Sequence, residues 1–192
     1  MNHNVTIDGY CYRLRPVTLD DAAFIVELRT DSVRSQYINP ISDDVSLQID
    51  WLNSYFERKG DYYFVVEHIV SRKPEGLISL YDVRDSSAEW GRWIIEAGSS
   101  CAIESAMMIY NLAFEHFSLA RVFCRTLEVN GSVVSFHDST GAKRSRRIEN
   151  YVVIDNVSYS AIEHELGRET WEIVNQRLDS IAYRMSKKKR SD

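Results

Sequence analysis

Three apolar runs lie between residues 61 and 95: DYYFVVEHIV, EGLISLYDV and SAEWGRWII. Only SRKPEG and RDSS stand at their junctions. These junctions are too short for a crossover helix, and they carry the Pro, Gly, Asp and Ser of tight turns. The runs must therefore pair as successive antiparallel strands. The last of them leads into EAGSSCAIESAMMIYNLAFEHF, where Ile103, Ala106, Met107, Tyr110, Ala113, Phe114 and Phe117 recur on one helical face. Ser100 is the expected N-cap.

The flanking sequence fills in the layers around that sheet. YCYRLRPV reads as a first strand. Thr18, Asp20 and Asp21 then open a helix whose apolar positions are Ala22, Ile25, Val26 and Leu28. A second helix follows RSQYINPIS, with Leu47, Trp51, Leu52, Tyr55 and Phe56 in helical register and Gly60 as its stop. Downstream, LARVFCRTLEV is a strand and NGSVVSFHDST a short helix closed by Gly141. RRIENYVVIDNVSY is a strand or hairpin, and SAIEHELGRETWEIVNQRLDSIAYRM a terminal helical region broken at Gly167. This order predicts one mixed α/β domain over 1–184, with 185–192 a basic, disordered tail.

Composition narrows the function. Net charge is −5, so the chain as a whole is not built for nucleic acid, and Lys187–Arg190 reads as a solvated tail. MNHNVTIDGYCYRL has no apolar core, and no run approaches the ~18 residues of a membrane span. Cys11, Cys101 and Cys124 are odd in number and far apart, which favours a reducing, cytoplasmic setting over a disulfide framework. No CxxC or HxxxH spacing offers a metal site, so no metal is expected.

The turn WGRWIIEAGSSCAIES joins a strand to a helix N-terminus, where free N–H groups and the helix dipole favour anions. Gly98, Ser99, Ser100, Cys101 and Ala102 form either a phosphate cradle or a plain capped loop. Neither a Walker A loop nor GxGxxG is present. Cys124 lies in an alternating apolar strand, where a buried, inert thiol is the usual case.

Together, GSSCAIESAMMIYNLAFEHF and VNGSVVSFHDSTGA, in this element order, resemble the GNAT family of acyl-CoA N-acyltransferases from about Tyr12 to Trp171. The resemblance implies a mostly antiparallel, splayed sheet flanked by helices, with acetyl-CoA as acyl donor. The family loop Gln/Arg-x-x-Gly-x-Gly/Ala corresponds to Ala97, Ser100 and Ala102, so its first side chain and central Gly are replaced. Coenzyme A is then expected on Gly98–Ala102, on the backbone of Trp93, Ile94 and Ile95, and at Asn130 and Phe136. Asn130 keeps the family spacing to Gly141, although it would also serve as a plain cap. The family often has a Tyr acid seven residues after this Asn, and here that position is His137. An imidazole, with an unperturbed pKa of ~6.5, can donate a proton or carry a charge beside a thiolate. It could equally sit on the exposed side of a short helix.

Direct transfer also needs a base for the amine. Glu89, on the strand that lines the family's active site, is the first candidate, set against a solvated strand carboxylate. Arg34, Tyr37, Tyr81 and Trp90 are the expected acceptor contacts. Aromatic rings can stack on a nucleobase or sugar, and Arg can hold a diphosphate, although any single aromatic can be core instead. Overall likeness extends to GNAT enzymes that acetylate nucleotide-linked 4-amino-4,6-dideoxy sugars for surface polysaccharide. A protein N-terminal acetyltransferase or a non-catalytic acyl-CoA-binding module are the other readings. The chain could act alone or as a homodimer.

Overall fold

The structure, a computed structural model, describes residues 3–189. One eight-stranded sheet runs through it, in the order β1-β2-β3-β4-β5-β6-β8-β7. The first three runs of the sequence are β3 (Tyr62–His68), β4 (Pro74–Arg84) and β5 (Ser87–Ile95), antiparallel as their short turns require. β1 (Ile7–Asp8) and β2 (Tyr12–Pro16) extend that edge; β6 (Arg121–Leu127), β7 (Lys143–Ile154) and β8 (Val157–Gly167) form the other.

Helices cover both faces. α1 (Ala22–Thr30) and α2 (Val45–Phe56) bury Ile25, Leu28, Leu52 and Tyr55 against Tyr63, Val65 and Leu77. On the opposite face, α3 (Ala102–Asn111) and α5 (Arg168–Lys189) pack Met108, Ile109, Trp171 and Leu178 against Phe64, Ile78, Leu80 and Val122. α4 (Gly131–Thr140) ends at Gly141, whose φ of 99° is the left-handed geometry that a side chain resists.

Three expectations change. Residues 160–167 are not helix. They belong to β8, which is paired to β6 on one side and β7 on the other. Ala161, Ile162, Glu163 and His164 are all buried there, because both faces of this strand are covered and the two-residue alternation disappears. Ser100 is not the cap of α3; Cys101 holds that position, and its N–H is satisfied by Ser99 Oγ at 3.2 Å. Finally, α5 continues to Lys189, so the first part of the expected tail is helical. The remainder, 190–192, lies outside the described residues.

Candidate active site

β5 and β6 run parallel, and their ladder covers only Ser87–Glu89 against Arg121–Phe123. Beyond it the strands separate. β5 stays with β4 and carries a bulge where Arg92 adopts φ 48°, and β6 stays with β8. The facing edges of Trp90–Ile95 and Cys124–Leu127 thus lack a strand partner. A cleft of about 400 Å³ occupies the gap. Trp90 lies at its floor, with Trp93, Val133 and His137 to one side and Arg29, Tyr37, Tyr81 and Tyr151 to the other. A bulge beside an interrupted ladder is a usual way to bare backbone groups at a site.

Glu89 is the last paired residue before the strands separate, and it is 4% exposed. Its Oε2 accepts a 2.7 Å bond from Arg125 Nη1, and the Tyr81 hydroxyl also bonds this carboxylate. Burial raises the Glu89 pKa above the usual carboxylate range, against the pull of Arg125. Burial, with Glu89 beside it, also keeps the Tyr81 phenol protonated. Arg125 donates in addition to Glu163, which Arg146 and Ser145 hold from the far side. Tyr81 can lie over the strand because residue 91 is Gly: a Cβ there would sit 2.8 Å from its hydroxyl.

His137 differs from expectation. It is 1% exposed and lies on the inner side of α4, with its ring against Trp90 and its Nε2 3.4 Å from Cys124 Sγ. Burial lowers its pKa to about 3, and His164, 5.1 Å away between ring centroids, pushes the same way. A cationic role beside a thiolate is therefore not available at neutral pH. Asp138 turns away from it, as adjacent helical positions must, and bonds Arg144 and His164. Burial likewise holds the Cys124 thiol protonated, so a thiolate nucleophile is disfavoured.

The depressed histidine has a measurable consequence. With its folded pKa below the unfolded ~6.5, the unfolded chain binds this proton first. The His137 contribution to stability is complete above about pH 6.5 and falls with acid, by at most about 1.4 kcal/mol per pH unit, until the folded pKa is reached. His3, held down to about 4 by burial, slopes the same way. The difference between wild type and His137→Phe in urea melts from pH 7 to 4.5 isolates the His137 share. Equal slopes would mean that the ring is not held neutral.

The other expected residues divide. Trp93 and Ile94 line the cleft, with Trp93 Nε1 donating to Ser105 Oγ at 3.1 Å. Phe136 packs on the Trp93 ring. Asn130 lines the cleft as well, while its Oδ1 accepts a long 3.5 Å bond from Val133 N, so it is both cap and wall. Gly98, Ser99, Ser100, Cys101 and Ala102 lead into α3; Gly98 has φ 76° and open space around it. Ser99 Oγ and Tyr12 Oη both bond Glu75 Oε2, so the Ser99 hydroxyl is committed to the loop itself.

Tyr37 and Tyr81 line the cleft. Arg34 does not: its Nη1 donates to the Ile95 carbonyl from a separate depression that it shares with Asp31 and Lys73. Trp90 contributes cleft floor only. It is 1% exposed and wedged edge-on among Trp93, Tyr110 and His137. Arg125, Arg92 and Tyr151 were not singled out as site residues from sequence. Nothing local marks an Arg on a strand as the partner of Glu89; the pairing appears once β5 meets β6. Among the described residues, no group of three or more His, Cys, Asp or Glu side chains could hold a metal ion. No described helix is long and apolar enough to cross a membrane.

This geometry has known counterparts. Residues 12–143 match the acetyltransferase (GNAT) domain family. A GCN5-related N-acetyltransferase from Brucella melitensis superposes with a TM-score of 0.82 at 14% identity, over 94% of this chain and 86% of that one. FdhC, a nucleotide-linked sugar GNAT, gives 0.75 at 25% identity, over 91% and 97%. A spermidine N-acetyltransferase variant, SpeG from Vibrio cholerae, gives 0.73 at 16%, over 85% and 97%. No protein of curated function gives a significant sequence match. The chain belongs to the GNAT acetyltransferases, a family of enzymes that use acetyl-CoA as acyl donor and amines as acceptors.

Proposed function

We propose that the protein transfers the acetyl group of acetyl-CoA directly to the primary amine of a small acceptor, a nucleotide-linked 4-amino-4,6-dideoxy sugar, as a cytoplasmic step in surface-polysaccharide synthesis. The observation that carries this reading is the parting of β5 from β6, with Glu89 at the point of divergence. The likeness to a nucleotide-linked sugar GNAT supports the choice of acceptor.

Bound acetyl-CoA supplies the acetyl group as an activated thioester. The backbone edge of Trp93 and Ile94 that faces away from β4, the Asn130 amide and the turn Gly98–Ala102 at the start of α3 fit a long ligand with amides along its arm and a phosphate-bearing end. Glu89 acts as the base. Its raised pKa suits proton uptake, and the Tyr81 hydroxyl, which lines the cleft and bonds Glu89, relays the proton from the amine. Arg125 fixes the carboxylate and balances its charge. His137 is a neutral wall residue in this reading, and the departing thiol takes its proton from solvent.

Free-thiol release from acetyl-CoA tests the proposal. The acceptor panel holds nucleotide-linked 4-amino-4,6-dideoxy sugars, N-terminal peptides and polyamines. Turnover with a sugar nucleotide alone is the expected result. Turnover confined to peptides would move the function to protein N-termini, and acetyl-CoA binding without turnover on any amine would favour a binding module.

A further inference from the structure

Arginines around the cleft are matched with acids, with one exception. Arg92 holds Asp61 through two bonds of 2.6 and 2.9 Å. Arg125 holds Glu89 and Glu163. Arg29, at the last turn of α1, has no carboxylate within ion-pair distance among the described residues. Among the described residues its single hydrogen bond runs from Nη2 to the Asn39 carbonyl at 2.7 Å. Its Nε is buried without a partner.

Burial is the main cost to the protonated form of Arg29; Tyr63 offsets part of it, and Arg92 adds to it. An unpaired, half-buried cation is a substantial penalty for a fold to carry. It is sited in the cleft wall beside Tyr37, Asn39 and Tyr81, away from the loop that leads into α3. A guanidinium offers a fork of planar donors suited to phosphate oxygens, and Nη1 makes no hydrogen bond among the described residues.

We propose that Arg29 is the anion-binding residue of the acceptor half of the cleft: it takes the phosphate groups of a nucleoside-diphosphate acceptor and discriminates against polycationic amines. This rests on the reading above, in which acetyl-CoA fills the other half. The bound anion completes the ion pair that the free protein lacks. A spermidine-like acceptor would instead place like charge beside Arg29 and Arg92.

The test is calorimetric titration of inorganic pyrophosphate, uridine diphosphate and spermidine into the whole protein, first saturated with acetyl-CoA so that the coenzyme's own phosphate site is filled. Wild type is compared with Arg29→Gln and Arg29→Lys, with thermal melts to establish that each variant is folded. Wild type should bind both diphosphates. Arg29→Gln should weaken them by about tenfold to a hundredfold, the range for loss of one charge-assisted contact. Arg29→Lys should recover part of that, and spermidine should bind wild type no better than Arg29→Gln. Diphosphate affinity that is absent, or the same in wild type and Arg29→Gln, overturns the subsite while intact acetyl-CoA binding leaves the acetyltransferase reading standing. If acetyl-CoA fails to bind wild type, that reading falls, and the same titrations on free protein still decide for or against Arg29.

Discussion

Glu89→Gln should lower kcat by about 10²- to 10³-fold while leaving acetyl-CoA affinity within about twofold, the pattern for loss of a general base. The substitution is nearly isosteric. The amide oxygen can still accept from Arg125, and Arg125 keeps its bond to Glu163, so no charge is stranded. What disappears is the capacity to take up a proton. Burial has raised that capacity, since it disfavours the carboxylate more than Arg125 restores it. Stopped-flow and steady-state assays with a working acceptor, together with coenzyme titration, separate the two effects. Unchanged kcat would remove Glu89 from the chemistry and leave it a structural partner of Arg125. A joint loss of coenzyme binding and melting temperature would point the same way.

Trp90→Ala should destabilise the fold by about 3–5 kcal/mol, the range for emptying a large aromatic site in a core. Trp90 was expected from sequence to meet the acceptor. It is instead held by Tyr110 on α3 below, Trp93 on its own strand and His137 on α4, each ring edge-on at 5.3 to 5.4 Å. Removing the indole would loosen the packing between the sheet and two helices at the floor of the cleft. Urea denaturation measures this. A loss below about 1 kcal/mol, with a raised KM for the acceptor, would restore Trp90 as a substrate contact.

Much of this architecture was legible in the chain. Three apolar runs with turns too short to cross over can only pair antiparallel. The spacing from Ile103 to Phe117 marked a helix but not its burial: Glu104 to Tyr110 are all buried rather than one face alone, and Leu112–His116 is a π-helical turn. Asn130 and Gly141 bracket α4 as their types predict, because a side-chain acceptor and a left-handed residue have local uses. β8 was not legible. Periodicity reports a boundary between buried and exposed faces, and a strand covered on both sides has no such boundary.

The site divides along the same line. Sequence by itself determined which residue types were at hand and which elements carry them: Glu89, Tyr81 and Trp93 on strands, and Tyr37 in the loop before α2. Tertiary structure alone decided protonation and partnership. His137 is neutral because it faces inward against Trp90 and Cys124, Glu89 is held by an Arg 36 residues away, and Arg29 is left without an acid among the described residues. Burial and charge pairing act through space over a few ångströms, and the residues that come within that range are set by how the sheet is assembled, not by their order along the chain.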